Sequence, residues 1–459
     1  MIRRVAAGIG MTVFDKLVIA GTQLLLVPVL ASRWGLELYG QWLILATLPQ
    51  FLSVSDFGFA TAAGTRMTMA AARGDRAEAV HIFQSGWRAI LVTSAGMIGL
   101  VLLTAWCLPD AVFGPRPAAP VQDLRMALAV LGLYGVVAVQ GSIVFAGFRA
   151  AQLFPVGAFW NAIVLLIENA ALVVTVVAGG GIVAAASAWL VGRLVGLAGQ
   201  NLLLRRKVPW LTIGLAQGSW SEARTLMAPA GAVMLMPIAQ AVVLQGTALV
   251  VGAVAGQSAV PVFAAARTLS RVGMQLCWIV STPLMPEFSA AAAREDRRAM
   301  AAMVLAVLLF SAGMVLPFAL GFALFGDEAI ALWTHGAIAA PAALVATMGL
   351  AIAAGGLWYP LSNLMLARDR QAQYTGWYLG LALTSLPLAG ALVAQLGVSG
   401  AGLSLAVLDF AMLTVVARLV RRHLVTIPEL GAAFRALRQT GHAHILRRRT
   451  ARISGSSQP

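Results

Sequence analysis

The sequence predicts an all-α integral membrane protein of about twelve transmembrane helices, and three observations carry that prediction. The chain of 459 residues is 60% apolar and 11% charged, with a mean hydropathy of +0.86, whereas soluble domains carry about 25% charged residues. Charge-free apolar runs recur along its whole length. One of them, from Leu226 to Ala266, holds about 40 residues where about 20 span a bilayer. Between the runs, basic loops alternate with nearly neutral ones, the pattern that orients helices in a membrane.

Taken in order, the first run covers 12–32 and follows the basic start MIRRV. A secretory signal begins in the same way, but Asp15 and Lys16 interrupt the apolar core and the run continues to Ala31. An uncleaved first span is therefore expected. Spans two to six are expected at 40–60, 86–108, 124–147, 155–178 and 182–204, closed by RRKVPW. Spans seven to twelve follow at 226–253, 259–289, 299–325, 341–366, 373–396 and 402–424. With a cytoplasmic N-terminus the even-numbered loops face inward. These loops and the span ends beside them hold Arg66, Arg73, Arg76, Arg88, Arg149, Arg205, Arg206, Lys207, Arg224, Arg294, Arg297, Arg298, Arg368 and Arg370. The outer loops keep Arg33, Arg116 and Arg125. Adding or dropping one span scrambles that asymmetry, so the charges support twelve.

Topology accounts for the net charge of +15, and no nucleic-acid partner is expected. The only lysines, Lys16 and Lys207, follow Asp15 and Arg206, so no GxxxxGK[ST] phosphate loop exists. Cys107 and Cys277 sit in separate apolar runs without metal spacing and read as inert buried thiols. No cofactor is expected. The outer connections, such as PDAVFGPRPAAP and FGDEAIALWTHGAIAAP, are too short for a folded domain. RGD at 73–75 reads as a turn.

The two halves echo each other. GGGIVAAASAWLVGR opens span six and GVSGAGLSLAVLDF opens span twelve; RGDRAEA follows span two and AREDRRAM follows span eight; Pro28 and Pro237 interrupt spans one and seven. Internal repeats with interrupted helices are typical of secondary transporters. The expected organisation is an N-terminal lobe at 1–207, a C-terminal lobe at 208–424 and a basic tail at 425–459. Leu430, Phe434 and Leu437 among arginines make that tail either a basic amphipathic stretch on the cytoplasmic leaflet or a solvated one.

Residues 15–79, DKLVIAGTQLLLVPVLASRWGLELYGQWLILATLPQFLSVSDFGFATAAGTRMTMAAARGDRAEA, resemble the polysaccharide-transporter (Wzx-type flippase) branch of the superfamily that includes the MATE exporters. The shared features are a Leu/Val-rich first helix, a loop ending near YG, and a second helix closing on a DxG turn and a basic stretch. TPLMPEFSAAAAREDRR carries the resemblance in the second half. It implies two six-helix, MATE-like lobes and translocation of an undecaprenyl-pyrophosphate-linked oligosaccharide across the bacterial inner membrane, with both termini cytoplasmic. O-antigen, capsule or exopolysaccharide assembly would use the product, with polysaccharide polymerase and assembly proteins as partners beside the membrane lipids. The mechanism implied is alternating access, not enzymatic catalysis.

A cation at the bilayer centre costs about 2.5–3.5 kcal/mol, so interior charges need partners or water. Glu168 and Arg193 stand almost equally far on either side of the GGG turn at 179–181, at similar depth on neighbouring helices. Two readings stay open: a structural ion pair, or a carboxylate that carries a proton. Arg267 and Arg271 are one turn apart in VFAAARTLSRVG, with Asp409 as the plausible interior partner and Ser270 and Gln275 nearby. A water-lined face that takes pyrophosphate would suit both guanidinium forks, or one arginine would pair with Asp409 while the other snorkels. Arg193, Gln240 and Gln245 complete the expected lumen set for pyrophosphate and sugar. Asp56 reads as a brace at the end of span two or a coupling group, and Trp358, Tyr359, Trp377 and Tyr378 as interfacial anchors. The rival functions are a MATE-like cation-coupled exporter and a peptidoglycan-precursor (lipid II) flippase.

Overall fold

A computed structural model describes residues 2–53, 58–113, 117–273, 294–366 and 370–439, with Phe288 and Ala291. The described chain is almost wholly helical. Its helices are α1 (Ile2–Leu45), α2 (Thr47–Ser53), α3 (Phe59–Ala72), α4 (Arg76–Cys107), α5 (Val121–Ala150), α6 (Phe154–Val177) and α7 (Ile182–Lys207). They continue as α8 (Trp220–Ala241), α9 (Thr247–Ala255), α10 (259–273), α11 (Arg297–Trp333), α12 (Ala342–Leu366), α13 (Gln371–Leu396), α14 (Ser399–His423) and α15 (427–439). Among the described residues, ten helical stretches are long and apolar enough to cross a membrane. Large apolar side chains point outward along them, as with Val174 at 67% exposure, Leu320 at 62% and Leu332 at 81%. Such belts are stable against lipid and not against water, and the protein is a multi-pass membrane protein.

The expected spans fall on these helices, with differences that have local causes. Span one and the start of span two run through α1, which turns sharply at Gly35 (φ 69°, ψ 174°), a conformation that a Cβ would strain, and span two continues in α2. What was expected as a loop after residue 60 continues as α3, because Ala62, Ala63, Met67 and Ala70 bury one face. The turn follows only at Gly74 (φ 82°), and Asp75 caps α4 by accepting from the Glu78 N–H at 2.8 Å. Span seven is split by a π turn at Val242–Gly246 between α8 and α9. Span eight begins as α10, and its remainder apart from Phe288 lies outside the described residues, as does Cys277. Cys107, expected to be buried, is exposed at the end of α4, since an apolar run in a membrane protein has a lipid-facing side.

The chain divides into two compact units: Met1–Leu269 with Asp327–Leu344 and Ala382–Ala401, and Ser270–Gly326 with Val345–Leu381 and Gly402–Pro459. Within the first unit, connections of like parity come together. The Trp34 indole donates to the Gly180 carbonyl at 3.2 Å, and Gln41 and Gln257 both donate to the Phe113 carbonyl, at 3.4 and 2.6 Å. These contacts gather the first, third, fifth and seventh connections at one end. At the other, Arg66 pairs with Glu222 at 2.7 Å, and the guanidinium of Arg76 lies 5.7 Å from the Trp210 ring centre. The connection at 208–219 is clipped along α4: Gln84 Nε2 donates to the Thr212 carbonyl at 3.0 Å, Gln84 Oε1 accepts from the Gln217 N–H at 2.7 Å, and Arg88 donates to the Leu215 carbonyl at 3.0 Å. In the second unit, Arg297 donates to the Leu424 carbonyl at 3.0 Å and Arg370 meets His423 at 3.1 Å, which groups the eighth and tenth connections with the tail. The first unit thus keeps the alternation that the charge pattern predicts, and the second groups two even-numbered connections together.

Candidate functional site

The first unit buries a charged cluster. On α7, Gly192 and Gly196 form a small-residue face. A Cβ on Gly192 would lie 2.7 Å from the Glu168 Cα, and one on Gly196 would lie 2.5 Å from a Val164 methyl. Two glycines four apart let α6 and α7 approach closely, as in membrane helix pairs generally. That approach sets Glu168, 1% exposed, against Arg193, whose Nη2 lies 2.8 Å from both carboxylate oxygens. Tyr134 of α5 completes the triangle: its hydroxyl donates to Glu168 Oε1 at 3.2 Å and accepts from Arg193 Nη2 at 3.0 Å. The Tyr134 ring stacks on Trp189 with centres 4.7 Å apart, and Trp189 leads on to Trp42 and Trp34 at 5.4 and 5.6 Å. The expected pair exists; Tyr134 and the tryptophans were not foreseen. Two buried donors, Arg193 Nε and Trp189 Nε1, have no hydrogen-bond partner among the described residues.

Of the expected site residues on α10, Arg267 reaches the π turn that holds Gln245. A π turn breaks the regular ladder of carbonyl acceptors, and Arg267 donates to the Leu244 carbonyl inside it. Arg267 is half-buried, with its guanidinium 5.3 Å from the centre of the Phe263 ring. Gln245 belongs to the same turn and Gln240 lies two residues before it on α8; both are half-buried. The YG of the family pattern has a physical reason here. Tyr39 is buried, and a Cβ on Gly40 would overlap the Gln257 carbonyl, so the chain before α10 presses directly on α1.

In the second unit Arg271 is exposed, within electrostatic reach of Tyr359. Asp409 does not pair with it. Its Oδ1 accepts the indole N–H of Trp358 at 3.0 Å, and among the described residues no cation lies within ion-pair distance of this carboxylate. Trp358 is 2% exposed and Tyr378 is buried beside it, ring centres 5.6 Å apart, so these two belong to the core and not to an interfacial belt. Trp377 alone of the adjacent pair stays outside, at 60% exposure. The expected residues Asp56 and Gln275 lie outside the described residues.

Solved structures with the same fold define the class. A multidrug resistance MATE family transporter of the MOP superfamily, inward-facing, superposes with a TM-score of 0.70 at 14% identity over 91% of this chain and 99% of that one. The lipid II flippase MurJ, inward closed, gives 0.71 at 14% identity over 94% and 90%. An outward-facing MATE transporter gives 0.61 at 13% identity over 94% and 96%. The fold is that of the MOP-superfamily membrane transporters. No curated protein matches the sequence. Residues 39–334 match the family described as polysaccharide biosynthesis protein, and the chain belongs to that family.

Proposed function

We propose that this protein flips an undecaprenyl-pyrophosphate-linked oligosaccharide across the bacterial inner membrane by alternating access, without covalent catalysis. Membership of a polysaccharide biosynthesis family on a transporter fold carries the reading. The N-terminal lobe, 1–207, and the C-terminal lobe, 208–424, are the two moving bodies, with both termini cytoplasmic. Arg267, Arg271 and Arg193 offer guanidinium donors to the pyrophosphate, and Gln240, Gln245 and Gln275 offer amides to sugar hydroxyls. Glu168, Asp409 and Asp56 are the carboxylates available for ion coupling. Polymerase and assembly proteins of the same polysaccharide are the partners in the membrane.

The test is deletion of the protein in a strain without a second flippase, followed by leaflet-resolved assay of the lipid-linked oligosaccharide. Accumulation on the cytoplasmic leaflet is the expected result; an unaltered distribution removes the reading. Loss of cationic-drug efflux instead would assign the exporter function of the MATE structures that share the fold. Cytoplasmic accumulation of lipid II would assign that of the peptidoglycan-precursor flippase. Arg267→Gln and Arg271→Gln are expected to lower transport at matched expression, and the double variant to abolish it. Full activity in the double variant excludes a role for the two arginines in binding the pyrophosphate.

A further inference from the structure

The transmembrane helix α14 ends in three arginines, Arg418, Arg421 and Arg422, spaced i, i+3 and i+4, so they share one face of its last two turns. All three are exposed, and with Thr426, Ile427 and Pro428 they line a cavity of about 490 Å³. Among the described residues none of the three has a carboxylate within ion-pair distance. The nearby acid, Glu429, is engaged elsewhere. Its Oε2 accepts from the Thr426 N–H at 2.7 Å and from the Thr426 hydroxyl at 2.9 Å, and its Oε1 lies 3.8 Å from Arg297 Nε. Those bonds from Thr426 hold the Glu429 carboxyl below its ordinary range. A helix C-terminus favours one or two cations through its dipole, but three converging guanidinium groups around a hollow exceed that need.

Immediately after this cluster the chain turns and forms α15. Ile427, Phe434 and Leu437 lie on one stripe of α15, at 57%, 49% and 55% exposure, with Leu430 half-buried between them. Arg435 and Arg438 flank the stripe. Apolar side chains along one side and cations beside them describe a helix that lies in the plane of a membrane surface. The bonds from Arg297 to Leu424 and Glu429 tie its start to α11. A span end, a basic hollow and an interfacial helix therefore coincide at headgroup depth.

We propose that the hollow at the end of α14 binds the phosphate of an anionic phospholipid, whose acyl chains run beside the apolar stripe of α15. Arginine forks donate to phosphate oxygens in two directions at once, and α15 forms the apolar side of the seat. This lipid is a resident of the leaflet and not transported cargo, so the proposal stands apart from the function above.

Native mass spectrometry of the full-length protein, titrated with phosphatidylglycerol or phosphatidylcholine, tests it. Phosphatidylglycerol is expected to bind more tightly in the unaltered protein; equal binding of the two lipids overturns the proposal without any variant. Each cation near a membrane surface contributes about 1 kcal/mol, roughly fivefold in affinity. Arg418→Gln, Arg421→Gln and Arg422→Gln together are thus expected to weaken phosphatidylglycerol on the order of 100-fold, while the three Lys replacements retain most of it. Unchanged affinity in a Gln triple variant that melts like the unaltered protein overturns the assignment of the site. Inorganic phosphate at equal concentration should displace little lipid; full displacement would make this a site for free anions and would overturn the lipid assignment.

Discussion

Among the described residues, Glu168 and Asp409 are carboxylates well inside apolar helices, and they are treated in opposite ways. Glu168 has a cation, a phenol and a close-packed helix around it: Arg193 Nη2 lies 2.8 Å from both oxygens, Tyr134 donates at 3.2 Å, and Gly192 brings α7 against its own Cα. Among the described residues Asp409 has one neutral donor, the Trp358 indole at 3.0 Å. The first arrangement cancels its charge locally. The second sets no cation within ion-pair distance among the described residues. In an apolar medium the difference is large, because a lone charge there is costly while a well-bonded pair is costly mainly when one partner is removed. Glu168 thus has its charge matched by a cation in place, whereas Asp409 meets a neutral donor and no cation among the described residues.

The largest effect expected from this contrast comes from Arg193→Met. It leaves Glu168 buried without its cation, and thermal melting in detergent should show a loss of about 3–5 kcal/mol. Adding Glu168→Gln should recover much of that loss. If the recovered double variant also transports, the pair is a strut; if it is stable and silent, the pair takes part in the cycle. A smaller loss, about 1–3 kcal/mol, is expected from Gly192→Ala, because the new methyl meets backbone that cannot move aside. Gly376→Ala, where no atom lies within 4 Å of the added Cβ, is the control and should not destabilise. Trp358→Phe removes the indole donor from Asp409 and should cost about 1–2 kcal/mol. Least affected in stability should be Asp409→Asn, whose amide oxygen still accepts from Trp358, with a change under about 1 kcal/mol. Its transport rate is expected to fall and to lose its response to the driving ion gradient; a normal rate with a normal response would remove Asp409 from coupling.

Much of this fold was legible in the chain, for reasons that differ from element to element. The spans could be read because bilayer thickness imposes one length on every apolar run, and the parity of their connections because arginine marks one side. Glu168 and Arg193 could be paired because a short turn reflects one helix onto the next, so depth follows from counting residues. Tyr134 could not be found that way, since it arrives from α5 and no local spacing relates it to α6 or α7. Trp358 was misread as an anchor because hydropathy locates a residue along a helix and says nothing of the direction it faces. The same limit applies to Cys107. The π turn at Val242–Gly246 left no trace that apolar periodicity could report, yet it decides where Arg267 finds its acceptor.

That turn also has a genetic meaning. Deleting one codon elsewhere in a membrane helix rotates everything beyond it by about 100° and exchanges its packed face for its lipid face. Inside 242–246 the wider coil already holds one residue more than an α-helix needs, so loss of a single codon there can be absorbed by tightening the turn, with α8 and α9 left in register. What would vanish is the acceptor presented to Arg267. Span seven thus contains a place where evolution can shorten the chain by one residue and keep the helix.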